Sequence, residues 1–189
     1  GHRGLPRIYK ENTFTGINKA YEHCDFVEID VRLTGDNQLI LHHDPNIGED
    51  LIKNLSLSEL DILMKDGSIH DSILVSRDQI HGQVNFEIKT DTLDDSEVDI
   101  LFQKMLSIFE PEDIVSSFNW KAIQSFKNLF NCNYGIIFDK EEDLFEAQAL
   151  SNHDEELFFM THFSLIDSRN FALPKNKTVL WTVNNEDDF

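Results

Sequence analysis

Strand-like and helix-like stretches alternate along nearly the whole chain, and this alternation limits its fold more than any other feature. The strand signals are Phe26 to Leu33, Val84 to Lys89, Asp113 to Ser117, Asn133 to Phe138, Glu156 to Thr161 and Thr178 to Val183. Helical patterns run from Thr13, a predicted cap, to about His23, then over Asp95 to Phe109, Asn119 to Phe130, Glu141 to Leu150 and a short piece near Leu165 to Asn170. Repeated β-then-α units imply a parallel sheet with right-handed crossovers. The α/β architecture is therefore either an open doubly wound sheet or a (β/α)8 TIM-type barrel. No glycine-rich phosphate loop follows any strand, which removes the main nucleotide-binding use of the open sheet.

Polar, chemically capable side chains cluster at the ends of several different strands. A barrel gathers such groups around one mouth, whereas an open sheet concentrates them at one crevice, so the barrel is the expected fold. Six strands of the main series are legible where eight are needed, and the chain has 189 residues against the roughly 250 usual for this fold. The reading is a single barrel domain over 1–189, with its first and eighth strands beyond the two ends and a native chain longer at both. Gln38 to His42, after the turn Gly35-Asp36-Asn37, is a predicted hairpin partner of the Phe26 strand. Residues 44–82 are irregular, with one helical piece near Ser58 to Met64 that Ser58 could cap. They read as a small insertion after the second barrel strand or as a loop able to cover a site.

Within Phe26 to Leu33 the alternation sends Glu28 and Asp30 to one face and Val27, Ile29 and Val31 to the other. At roughly 3.3 Å per residue, two carboxylates spaced two apart start about 6 to 7 Å apart and can converge on one hard cation. Glu87 and Lys89 share a face in the same way. Histidines stand nearby in the pattern: His2 in His2-Arg3-Gly4, and His42-His43 just after Leu39-Ile40-Leu41. Three acids, two or three imidazoles, an arginine and a lysine read as an active site for a phosphorylated substrate. The competing reading is solvent-facing strand residues in ion pairs.

Charge narrows the partners. Thirty-five acids face 16 basic residues, for a net charge of −19, and such a field repels nucleic acid and anionic membrane surfaces. It also repels a phosphodiester, so a bound divalent cation, together with Arg3 and Lys89, is needed to reverse the sign locally. No apolar run approaches the roughly 20 residues that span a bilayer, and the expectation is a soluble, cytoplasmic protein without stable membrane insertion. Cys24 and Cys132 have no close spacing and read as free thiols.

His2-Arg3-Gly4, Glu11-Asn12-Thr13, Val27-Glu28-Ile29-Asp30-Val31, Leu41-His42-His43-Asp44, Asn85-Phe86-Glu87-Ile88-Lys89, Ser116-Ser117-Phe118 and Trp181-Thr182-Val183-Asn184 occur in this order. The set resembles the glycerophosphodiester phosphodiesterase family over nearly the whole chain. Two positions depart from it: Lys10 stands where the family usually has proline, and Asn119 where an acid often follows Ser-Phe.

The resemblance implies a (β/α)8 barrel and the metal-dependent hydrolysis of small glycerophosphodiesters to glycerol 3-phosphate and an alcohol. It makes Glu28, Asp30 and Glu87 ligands of one divalent ion, for which oxygen-only ligation suits Ca²⁺ or Mg²⁺. It makes His2 and His43 the general acid-base pair. The family histidine directly precedes aspartate, which selects His43 over His42, and strand alternation lets only one of the two line the mouth. Arg3 and Lys89 are the expected phosphate contacts. Glu11 is a candidate for supporting the site or reaching a substrate hydroxyl, with capping of the adjacent turn as the alternative. Phe118 and Trp181 would wall the pocket against the glycerol carbons, and Asn184 could position a ligand. The rivals are a phospholipase D-like enzyme on lysolipids or sphingolipids, for which an apolar groove beside the pocket would speak, and a non-catalytic binding protein on the same barrel.

Overall fold

The computed structural model describes residues 1–65, 67–167 and 172–183. Among them the chain forms strands β1 (Phe26–Leu33), β2 (Leu39–Leu41), β3 (Asn46–Ile47), β4 (Asp50–Leu51), β5 (Gln83–Ile88), β6 (Ile114–Ser117), β7 (Asn133–Phe138), β8 (Phe158–His162) and β9 (Thr178–Trp181). The α-helices are α1 (Phe14–Ala20), α2 (Leu57–Leu63), α3 (Asp95–Met105), α4 (Trp120–Phe126) and α5 (Leu144–Ser151). The sheet runs β2-β1-β5-β6-β7-β8-β9. Every neighbouring pair is parallel except the hairpin pair β1 and β2.

From β1 onward the parallel strands follow chain order with no reversal, the antiparallel β2 flanking β1 on the outer edge. A doubly wound sheet reverses at a switch point, so this sheet is wound in one sense, as in a barrel. It is also strongly curled. Strands β5 and β8 are three positions apart, roughly 14 Å along a flat sheet, yet Asn85 Nδ2 lies 3.3 Å from Met160 Sδ. The fold is thus of the TIM-barrel type, with the ring of strands not closed among the described residues.

Both sheet faces are buried, as parallel strands require. Outward residues such as Val27, Ile29, Phe86 and Phe159 share one core with Ile17 of α1, Phe102 of α3 and Ile123 of α4. Phe102 stacks on Phe126 with ring centroids 4.5 Å apart. The inner face carries a separate apolar layer of Ile114, Ile137 and Met160. Alternate residues of one strand thus serve helix packing and the barrel interior, and the interior set includes Glu28, Asp30 and Glu87.

The edge of β1 opposite β5 is shared. Gly1 donates its amino group to Phe26 O at 2.7 Å and accepts the Glu28 amide at 2.7 Å, so His2 forms a parallel bridge to Glu28. Farther along, β2 pairs with Val31, Arg32 and Leu33. His2 and His43 are brought to Glu28 and Asp30 by this shared edge.

Several element ends differ from the sequence expectations. Helix α2 starts at Leu57 and its cap is Ser56, not Ser58. Ser56 accepts the Glu59 amide while Glu59 reaches back to the Ser56 amide, a reciprocal capping box. Helix α3 stops at Met105 rather than Phe109, because Ile108 and Phe109 turn back to fill the core. The irregular 44–82 segment holds a small hairpin of β3 and β4 that the sequence did not signal. It also has its own apolar cluster of Ile40, Ile52, Leu60, Met64 and Ile69. The expected helix near Leu165 is a 3-10 turn over Phe163–Leu165. Asn170 and Asn184 lie outside the described residues.

Candidate active site

Glu28 and Asp30 come from β1 and Glu87 from β5. The register places Asp30 opposite Glu87 across the parallel pair. One oxygen from each of the three carboxylates lies within 4.8 Å of the others. Asp30 is 1% exposed and Glu87 9%. Burial, and then the charges of Asp30 and Glu87, push the Glu28 carboxyl well above the usual carboxylate range. Burial likewise raises Glu87, although Lys89 opposes it. Burial would raise Asp30 too, but Lys89, Asn12 and Arg3 together hold it below its ordinary value.

Like charges this close, in a medium poorer than water, demand positive charge between them. Lys89 Nζ supplies part of it, 2.9 Å from Asp30 Oδ1 and hydrogen-bonded to Glu87 Oε1. The Arg3 Nε lies 3.4 Å from Asp30 Oδ2, and the Arg3 amide donates to Glu28 Oε2 at 3.0 Å. Glu28 Oε1 is buried with no hydrogen-bond partner. An all-oxygen set with one orphaned carboxylate oxygen fits a hard divalent cation.

The His2-Arg3-Gly4 turn is built from unusual backbone. Arg3 has φ 53° and Gly4 φ 87°, and a Cβ on Gly4 would stand 3.0 Å from Gly16 C and Ile17 N of α1. Glycine is therefore required where this turn meets the helix. Arg3 Nη1 is held by both oxygens of Glu11 at 3.3 Å, so Glu11 orients the guanidinium.

Both acid-base candidates border the carboxylates. His2 Nε2 is 3.8 Å from Glu28 Oε2. Burial, helped by Arg3, lowers His2 to about 4, so its imidazole is neutral at physiological pH. His43 Nδ1 pairs with Asp44 Oδ1 at 2.7 Å. His43 lines the same cavity as Glu28 and Glu87, whereas His42 lines a surface depression with Lys10 and Leu63. The two neighbours thus face different spaces, as the pleat requires.

That cavity measures 220 Å³ and combines His2, Arg3 and Lys89 with apolar Met160, Val179 and Trp181. Phe118 and Trp181 meet edge to face at 6.1 Å, and the buried Trp181 Nε1 has no acceptor. A second, more open groove of 440 Å³ shares His43, Glu87, Lys89 and Phe118 with the first and adds Arg32 and Asp91. The candidate site is the wall between the two.

Sequence reasoning singled out no role for Asn12, Asp44 or Arg32. Asn12 sits at φ 55°, donates Nδ2 to Asp30 Oδ2 at 2.8 Å and accepts the Asp30 amide at 3.0 Å. Its place between Glu11 and Thr13 was the available signal, but neither a positive φ nor a partner 18 residues away can be read from a motif. Arg32 shares the Glu28 and Asp30 face of β1, and that spacing could have flagged it.

The sequence profile of the glycerophosphoryl diester phosphodiesterase family matches residues 2–189. An uncharacterized protein of Mycoplasma genitalium is 24% identical over all of this chain and 87% of its own. The crystal structure of a glycerophosphodiester phosphodiesterase from Thermotoga maritima superposes with a TM-score of 0.72, at 23% identity, over 100% of this chain and 86% of that one. A phosphodiesterase from Oleispira antarctica, solved in complex with the product sn-glycerol-3-phosphate, gives 0.73 at 21% identity over 100% and 85%.

Proposed function

The chain belongs to the glycerophosphoryl diester phosphodiesterase family, a phosphoric diester hydrolase, and we propose that it hydrolyses small glycerophosphodiesters to glycerol 3-phosphate and an alcohol. In this reading Glu28, Asp30 and Glu87 hold one divalent cation, Ca²⁺ or Mg²⁺, and His2 and His43 move the protons. The observation that carries it is the convergence of three carboxylates within 4.8 Å, two of which, Glu28 and Glu87, stand on the wall of a cavity that His2, Arg3, His43 and Lys89 also line.

When bound, the cation neutralises nonbridging phosphate oxygens and stabilises the charge that develops on them. Arg3 and Lys89 exchange their carboxylate partners for phosphate oxygens, the guanidinium as a two-toothed clamp and the ammonium as a point charge. The glycerol 2-hydroxyl is the first nucleophile, and its attack gives a cyclic phosphate that water then opens. One histidine takes the proton of the attacking hydroxyl while the other delivers a proton to the leaving alkoxide, and the roles exchange for the second step. Phe118 and Trp181 shield the glycerol carbons from water. The Oleispira antarctica complex supports a glycerol-phosphate moiety as ligand of this barrel mouth.

The apolar wall of the cavity is the observation that would favour the lysolipid reading. Its 220 Å³, below the roughly 300 to 1,000 Å³ of sites that take drug-sized ligands, fits a glycerol unit, and the adjoining 440 Å³ groove has room for the alcohol substituent. Phosphorus NMR of glycerophosphocholine turnover tests the proposal. Turnover is expected to stop after thorough chelation and to return with Ca²⁺ or Mg²⁺. Glu28→Gln and His43→Ala are each expected to lose activity with helix content unchanged. Full activity after metal removal, or in either variant, overturns the assignment.

A further inference from the structure

Arg32 is a buried cation with no part in the chemistry just described. Its side chain is 5% exposed. It lies two residues beyond Asp30 on the same face of β1 and, among the described residues, makes four hydrogen bonds with two partners. Nε and Nη2 both donate to the backbone oxygen of His43, at 3.0 and 2.6 Å. Nη1 and Nη2 donate to the two carboxylate oxygens of Asp91, at 2.7 and 3.4 Å. His43 follows β2, and Asp91 follows β5 two residues after Lys89. One guanidinium therefore ties the turn carrying the acid-base histidine to the strand end carrying Glu87 and Lys89.

We propose that Arg32 is a positioning residue, a fork that fixes His43 at its working distance from Glu87 and Lys89, with Asp91 as the counterweight that orients the fork. This rests on the proposed roles of His43 and Lys89. Stability alone is a poor reason for the arrangement. A buried ion pair is often no better for folding than apolar residues of the same volume, and Asp91, with its side chain 51% exposed, adds little as a surface partner. Geometry is a better reason. Asp44 holds the His43 ring through Nδ1, but a ring fixed on its own turn moves whenever the turn moves. The fork supplies the missing restraint on the backbone. Lysine cannot replace it, because a single ammonium cannot present two pairs of parallel donors.

Two variants test this. Arg32→Lys keeps the charge and most of the stem and is expected to lower kcat by about 10- to 100-fold, the scale of a 1 Å misplacement, with KM unchanged within about twofold. Asp91→Asn alters only a half-exposed group, so its melting temperature is expected to stay at the wild-type value while kcat falls several-fold. The double variant is expected to be no slower than Arg32→Lys alone, since both changes disable one device. Long-range proton-nitrogen NMR supplies a readout independent of turnover: the His43 ring resonances are expected to shift in Asp91→Asn while those of His162 stay. A wild-type protein inactive on glycerophosphodiesters would end the proposed function, and the NMR comparison would still decide the positioning role. Unmoved His43 resonances in Asp91→Asn, or a kcat loss accounted for by a smaller folded fraction, overturn it.

Discussion

Replacing Asn12 separates backbone strain from the polar support of the carboxylate cluster. Asn12 is 2% exposed, holds φ 55° and grips Asp30 by both its side chain and its amide. In Asn12→Ala the Asp30 amide loses its acceptor, at a cost of about 1 to 3 kcal/mol, and a bond to an ionised carboxylate worth about 1.5 to 3 kcal/mol disappears. Left-handed backbone adds about 1 kcal/mol for alanine, which glycine avoids. The sum for Asn12→Ala is about 4 kcal/mol after allowing for partial relaxation, and Asn12→Gly should recover only about 1 kcal/mol of it. Urea unfolding measures both numbers. Calorimetric titration with Ca²⁺ or Mg²⁺ should show affinity falling about 10- to 100-fold in both variants, the usual effect of removing a group that holds a metal ligand. An Asn12→Ala protein within about 1 kcal/mol of wild type, or one with unchanged metal affinity, would refute the argument that these two hydrogen bonds set the position of Asp30.

Four shorter tests address the rest of the molecule. Asp113 is fully buried, receives Arg77 Nε and Nη2 at 2.7 and 2.8 Å and accepts the Val84 and Glu110 amides. Asp113→Ala should therefore cost about 3 to 5 kcal/mol in urea unfolding, because the Arg77 guanidinium loses its close carboxylate partner and two backbone amides lose their acceptor. Gly4→Ala forces a Cβ against the α1 backbone at φ 87° and should destabilise by about 2 kcal/mol or more in the same assay. Burial would raise Asp154, but hydrogen bonds from Lys127 and Tyr134 bring it below 3.8. Its stabilisation is therefore present above the unfolded value of 3.8 and lost as pH falls through the folded value, so the stability gap to Asp154→Asn should be level at neutral pH and close in acid. Lys89→Met removes the cation that shares Asp30 and Glu87 with a bound ion, so calorimetry should show the divalent ion binding more tightly while phosphorus NMR shows turnover lost; a parallel loss of both would count against that sharing.

Strands announced themselves because their two faces carry different chemistry. In Phe26–Leu33, Val27, Ile29 and Val31 go to the helix-facing core and Glu28 and Asp30 to the interior, so a period of two was visible residue by residue. Helix ends were less legible, since they depend on which nearby hydroxyl reaches an amide first. Ser56 and Ser58 are equivalent on local spacing from the helix, and only the reach of Glu59 decides for Ser56. The β3 and β4 hairpin was invisible because two-residue strands carry no periodicity, and its turn depends on Gly48 at φ 64°. At the site, residue types that are rare in strand interiors, such as Glu28, Asp30, Glu87 and Lys89, stood out. Asn12 and Arg32 did not, because each works on a backbone group and a carboxylate of residues distant in sequence.

That division follows from what a barrel mouth must do. Four backbone segments meet there: the His2-Arg3-Gly4 turn, β1, the end of β2 and the end of β5. Each contributes one or two charged or titratable side chains, and the three carboxylates repel one another. Barrel register sets the carboxylates opposite each other, with Asp30 beside Glu87, but register alone would drive them apart. Lys89 spans Asp30 and Glu87, Asn12 and Arg3 grip Asp30, and the Arg3 amide holds Glu28. Two cations and two neutral donors thus offset most of the charge of the three carboxylates, within a chain whose net charge is −19. Removing any one support shifts load to the rest, so substitutions within this cluster should be coupled rather than additive, while Asp113 and Asp154, held by partners of their own, should add independently.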